Sequence, residues 1–181
     1  GDEAGGLAVD YHDGTFKARK LSNKEMEKVL EKKRAEKDAD KLLVKRWNIP
    51  NGRVLTDNKG GKWIYNKTGV LRKVVGDSLV TLHLLPNNAT NYIDYERYHI
   101  VEDNHGLVWI STYGKGLFVF NHDLTQGQHF VADDSGVSPI ASNYLLRIIA
   151  DRHDGVWVSS EYGGVSHIQV MDKGVERIYP N

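Results

Sequence analysis

Three segments of this 181-residue chain repeat one another in phase, and no other feature narrows its possible folds as much. Asp57-Asn58-Lys59-Gly60-Gly61-Lys62-Trp63 is followed by Asp103-Asn104-His105-Gly106-Leu107-Val108-Trp109 and by Asp151-Arg152-His153-Asp154-Gly155-Val156-Trp157. Each places Asp six residues before Trp with Gly between them, and the Trp residues stand 46 and 48 positions apart. Gly116 and Gly164 both fall seven residues after their Trp, whereas the first copy is looser, with Gly69 six residues after Trp63. A partial fourth copy opens the chain, where Gly5-Gly6-Leu7-Ala8-Val9 is similar to Gly163-Gly164-Val165-Ser166-His167.

The pattern within each unit sets its structure. A short strand precedes the Asp, at residues 53–56, 98–102 and 145–150. Asp then caps its own turn, and Gly supplies the positive φ that the turn requires. A second strand carries the Trp, at 62–66, 108–112 and 156–160. A Gly-rich turn leads to a third strand, and a fourth follows at 80–84, 129–132 and 175–179. Four antiparallel strands in about 47 residues make one blade of a β-propeller. The expected fold is therefore all-β, a propeller fragment of about three and a half four-stranded blades. The expected boundaries are 1–21 for the closing half of a blade, 49–90 for a degenerate blade, and 91–138 and 139–181 for two regular ones. Closed propellers have about four blades or more, so this arc is expected to belong with further blades of a parent protein and to self-associate if isolated.

The stretch 22–48 breaks the rhythm. Ser22-Asn23-Lys24-Glu25 is a capping-box signature, and helix formers follow as far as Trp47. Residues 31–41 carry no large apolar side chain, which predicts a charged helical insert with a solvated middle. Pro50-Asn51-Gly52 is the expected stop.

Composition removes several function classes. Lys plus Arg and Asp plus Glu both number 24, so the formal charge is zero and direct nucleic-acid binding is not expected. The absence of Cys excludes a disulfide framework, a thiol nucleophile and a thiolate metal site. His105 and His153 lie in the Asp turns without a second ligand at fixed spacing, so no metal and no cofactor is expected. No apolar run approaches the roughly 20 residues of a membrane helix.

The segments Ile100-Val101-Glu102-Asp103, Gly106, Trp109-Ile110-Ser111-Thr112 and Gly116-Leu117 resemble the two-component regulator propeller repeat. So do Ile149-Ala150-Asp151, Gly155, Trp157-Val158-Ser159-Ser160 and Gly164-Val165, and Ser142-Asn143-Tyr144 is similar to the family's lead-in to the innermost strand. Ser111 and Ser159 depart from the usual Gly, the copy around Trp63 is degenerate, and the helical insert lies outside the pattern. The resemblance implies the extracytoplasmic, periplasmic sensor region of a Bacteroides-type hybrid two-component histidine kinase. It implies an oligosaccharide as the ligand and no catalysis in this segment.

Trp63, Trp109 and Trp157 are expected to pack between neighbouring blades, and Asp57, Asp103 and Asp151 to cap turns. The candidate ligand-binding residues lie in the turn after the Trp strand: Tyr113 and Lys115 in one blade, Glu161 and Tyr162 in the next. Tyr92 and Tyr95, with Tyr98, form a second aromatic group. Aromatic faces suit the C–H surface of a sugar, and Lys or Glu its hydroxyls. Two other classes stay open: a propeller lyase or glycoside-cleaving enzyme, with Glu161 or His153 in its chemistry, and a protein-interaction scaffold.

Overall fold

The structure is a computed structural model that describes residues 6–66, 69–85 and 97–171. The backbone forms two compact units, Gly1–Ile49 and Pro50–Asn181.

In the first unit, β1 (Leu7–His12) and β2 (Thr15–Lys20) pair antiparallel around Asp13-Gly14. Both turn residues have positive φ, the requirement of a two-residue hairpin turn matched to strand twist. Helix α1 spans Asn23–Trp47. The Ser22 hydroxyl accepts the Glu25 N–H at 3.2 Å, and the Glu25 carboxylate accepts the Ser22 N–H at 3.0 Å, so the capping box closes as its sequence predicts. No helix residue is buried, in keeping with the charged middle. The helix ends at Trp47, three residues before Pro50. Asn48 adopts the left-handed conformation, and its N–H bonds the carbonyls of Lys45 and Val44. Asn tolerates that conformation and serves where Gly would otherwise stand.

The second unit is a series of antiparallel sheets, each strand beside the one before it. The first blade contains β3 (Arg53–Thr56), β4 (Lys62–Tyr65), β5 (Val70–Val75) and β6 (Ser78–His83). The second contains β7 (His99–Glu102), β8 (Val108–Ser111), β9 (Leu117–Phe120) and β10 (Gly127–Phe130). The third contains β11 (Leu145–Ala150), β12 (Gly155–Ser160) and β13 (Val165–Gln169). Its expected fourth strand at 175–179 lies outside the described residues. These meanders are propeller blades, and two apolar clusters pack them face to face. Trp63, Leu71 and Leu82 of the first blade meet Ile100, Ile110 and Phe118 of the second. Trp109 and Leu117 of the second meet Leu145, Ile148, Val156 and Val158 of the third.

The Asp turns do more than cap. In the first blade Asp57 Oδ1 accepts the N–H groups of Lys59 and Gly61, and Oδ2 accepts the indole N–H of Trp63 at 2.9 Å. Asp103 repeats this with His105, Leu107 and the Trp109 indole at 2.8 Å. In the third blade Asp151 still takes the N–H groups of His153 and Gly155, but Oδ2 accepts His167 Nε2 at 3.1 Å. Gly155 makes room for that ring, since a Cβ there would lie 2.5 Å from His167 Nε2. Burial opposes ionisation of Asp151, but these hydrogen bonds outweigh it and hold its carboxyl below the usual range.

One expectation needs correction. Trp63 and Trp109 are buried between blades, but Trp157 is 46 % exposed. Its face of the third blade has no further blade against it among the described residues, and its indole lies tilted over His167 at 4.3 Å instead of reaching Asp151.

Arg19 ties β2 to the helix start, with Nη1 and Nη2 donating to Glu25 at 2.6 and 2.8 Å and Nε donating to Asp10 at 2.6 Å. These bonds and those from Ser22 pull the Glu25 carboxyl from its ordinary 4.5 down to about 2. A depressed carboxyl stabilises the folded form above its unfolded value, and that contribution is lost as pH falls through the folded one. The Glu25 side chain is therefore expected to titrate near pH 2 by NMR, and to move up towards 4.5 in Arg19→Gln. An unchanged midpoint in that variant would contradict the arrangement.

Candidate functional site

The turn that follows each Trp strand is where the second and third blades are stitched together. Thr112 leaves β8 with its N–H and hydroxyl both donating to Gly116 O, which closes a tight loop over Tyr113-Gly114-Lys115. Gly116 has φ +79°, and a Cβ there would lie 2.3 Å from the Phe130 carbonyl, so only Gly fits. Asn143 serves as the node across the blade boundary. Its carbonyl accepts the N–H groups of Gly114 and Gly116, and its side chain accepts the Ala132 N–H at 2.7 Å. Leu145 N–H returns to Thr112 O, Glu161 N–H bonds Tyr144 O, and Tyr113 and Tyr144 form an antiparallel bridge. These bonds explain why Ser142-Asn143-Tyr144 leads directly into β11.

Side chains follow this backbone. The Tyr113 hydroxyl donates to Glu161 Oε1 at 2.8 Å, from one blade to the next. Its ring stands edge-on to Tyr144 at 5.0 Å, and the Arg97 guanidinium lies 5.1 Å from its centroid. Tyr113 is thus a partly buried member of a blade joint. Glu161 opens a single 3-10 turn, Glu161–Gly163, in which Tyr162 sits at φ 65°, ψ 28°. The Tyr162 ring is 98 % exposed. The candidates Tyr113, Glu161 and Tyr162 therefore come together. Lys115 is fixed through its backbone instead, its N–H on the Thr112 hydroxyl and its carbonyl bonded to the His129 ring. Tyr92 and Tyr95 lie outside the described residues. Tyr98 is buried and packs edge-on against Tyr65 at 5.2 Å, inside the joint between the first and second blades.

A second feature was not anticipated. A cleft of about 340 Å³ opens where the innermost strands of the three blades converge, lined by residues that include Leu55, Asn58, His99, Arg147 and Ile149. Burial and then the neighbouring Arg147 charge hold His99 below its ordinary 6.5. A β-bulge between Leu145 and Arg147 interrupts the pairing of β11 with β12, and bulges re-aim the side chains next to them. The sequence did carry a partial signal: His99 and Arg147 both stand ten positions before their repeat Trp, although Arg53, at the same register of the first repeat, does not line the cleft. Among the described residues no group of three or more His, Asp or Glu is arranged to hold a metal ion. His105 instead pairs with Asp154 across the blades at 2.8 Å.

The Tyr113–Glu161 bond is partly buried and spans two blades, so removing either partner should cost about 1 kcal/mol. In a double-mutant cycle by urea unfolding, Tyr113→Phe and Glu161→Ala are expected to couple by about 1 kcal/mol. Strict additivity would show that the bond contributes nothing to the joint.

No protein-family model and no curated protein matches the sequence. Solved structures do. One is described as the extracellular domain of the hybrid two component system BT3049 from B. thetaiotaomicron, with 19% identity over 65% of this chain and 16% of that one, at a TM-score of 0.49. The corresponding domain of BT4673 from the same organism gives 23% identity over 63% and 14%, at 0.46. PorZ, a surface component of the type-IX secretion system of Porphyromonas gingivalis, gives 17% over 64% and 17%, at 0.42. The chain thus spans about one sixth of the length of the proteins it matches.

Proposed function

We propose that this chain is the ligand-recognising and signal-relaying part of an extracytoplasmic sensor of the two-component type, and that its ligand is an oligosaccharide. The observation that carries this reading is Tyr162. A phenol ring 98 % exposed to solvent gains nothing from burial, and its backbone sits in the left-handed region, which costs a bulky residue of order 1 kcal/mol or more. Strain of this kind is retained where the displayed group has a use. An exposed aromatic face stacks on the C–H surface of a sugar ring, and the adjacent Glu161 carboxylate can accept from sugar hydroxyls.

The position also suits signalling. Glu161 is bonded to Tyr113 across the blade boundary, so a ligand seated on Tyr162 lies one residue from a joint between two blades. A ligand that binds one arrangement of that joint better than another shifts the population between them. The likeness of residues 100–117 and 149–165 to the regulator propeller repeat supplies the two-component context. In that context the chain lies on the periplasmic side of the inner membrane, and the kinase belongs to the rest of the parent protein.

The test is calorimetry of the protein against a panel of neutral oligosaccharides, with Tyr162→Ala alongside. Loss of one stacking face worth about 0.5–1.5 kcal/mol predicts binding roughly 2- to 12-fold weaker in the variant. An affinity unchanged by Tyr162→Ala, or no heat across the whole panel, would overturn the reading.

A further inference from the structure

We propose that the cleft on the innermost strands is an oxyanion-binding site, in which Arg147 and His99 together receive a carboxylate, sulfate or phosphate group of a small molecule. Three observations lead there. The cleft holds about 340 Å³, enough for a group of several non-hydrogen atoms, and its walls combine aliphatic Leu55, Ile100, Val101 and Ile149 with polar Thr56, Asp57 and Asn58. Arg147 lines it directly after a shift in the register of β11 against β12, the kind of break in regular pairing that changes where neighbouring side chains point. His99, on β7, lines the same space as a partly buried ring.

The electrostatics agree with the geometry. Burial and the Arg147 charge disfavour the protonated imidazole, so the free site carries the guanidinium charge beside a ring held towards its neutral form. An anion seated between them offsets the repulsion and favours His99 protonation. Asp57 is the one carboxylate in the lining, and it does not compete: its oxygens are taken by Lys59 N–H, Gly61 N–H and the Trp63 indole. Across the ladder from His99 stands Ser111, fully buried, whose hydroxyl has no hydrogen-bond partner among the described residues. It shares that face of the sheet with His99 but does not line the cleft. The bidentate fork of Arg fits planar carboxylates and tetrahedral oxyanions alike.

This inference is independent of the oligosaccharide reading, which rests on Tyr162. The test is NMR of the His99 ring in the 181-residue chain at pH 7, titrated with sodium sulfate, sodium phosphate and sodium D-galacturonate. Sodium chloride at matched ionic strength and neutral D-galactose serve as controls. A saturable shift with at least one oxyanion, absent with both controls, is expected. Arg147→Gln should weaken it about tenfold or more, Arg147→Lys should weaken it less, and Tyr162→Ala should leave it unchanged. Saturation by galacturonate alone identifies a carboxylate ligand, and saturation by sulfate or phosphate a tetrahedral one. The site is refuted if no oxyanion gives a saturable shift, if chloride reproduces it, or if Arg147→Gln, with its circular dichroism unchanged, binds as tightly as the wild type.

Discussion

One carboxylate in each blade holds two parts of the structure at once. In the first two blades the Asp oxygens divide their work, one closing the turn between the first and second strands and the other gripping the indole N–H of the Trp six residues on. A Trp ring brings a large apolar area but also one polar N–H, which is expensive to bury without an acceptor. The Asp supplies that acceptor from within the same blade, so the ring can be given wholly to the joint with the next one. Truncating a buried Trp costs about 3–5 kcal/mol, and stripping Asp103 would leave three donors without their acceptor. The blade joints depend on these pairs more than on any single apolar contact.

Around the apolar joints runs a set of polar stitches at the blade ends. Asn58 exchanges two hydrogen bonds with the backbone of Glu102, and Asn104 donates to the carbonyls of Arg152 and His153, so the turn of each blade holds the turn of the next. At the other turns Asn143 and the Tyr113–Glu161 bond do the same. The apolar contacts supply most of the stability. The stitches fix the angle between blades, because a hydrogen bond tolerates less sliding than an aliphatic surface. In the proposed reading, a ligand on Tyr162 acts on the part of the structure that sets geometry.

The repeat made most of this fold legible. Asp, Gly and Trp in phase specified turns, strands and period, and the capping box at Ser22 and Glu25 marked the helix start. What stayed hidden depended on contacts across the repeat. Turn capping by Asp103 could be read locally, but its bond to the Trp109 indole requires the two strands to be paired. Trp157 looks like its two counterparts in sequence. Only the structure reveals that His167 has taken the carboxylate, through the space left by Gly155, and that the ring has gone to the surface. Tyr113, Glu161 and Tyr162 could be grouped because their turns recur at one blade end. The cleft was legible only in part: His99 and Arg147 share one register of the repeat, but that they border an open space follows only once the innermost strands converge.

The most direct measurement of this account is hydrogen exchange of the indole N–H groups by NMR in the 181-residue chain. Trp63 and Trp109, clamped by Asp57 and Asp103, should exchange only through large-scale opening and be strongly protected. Trp157, released from Asp151, should exchange orders of magnitude faster, near the rate of a free indole. Equal protection at all three positions, or fast exchange at Trp63 and Trp109, would contradict the claim that the Asp–indole pair holds the blades together.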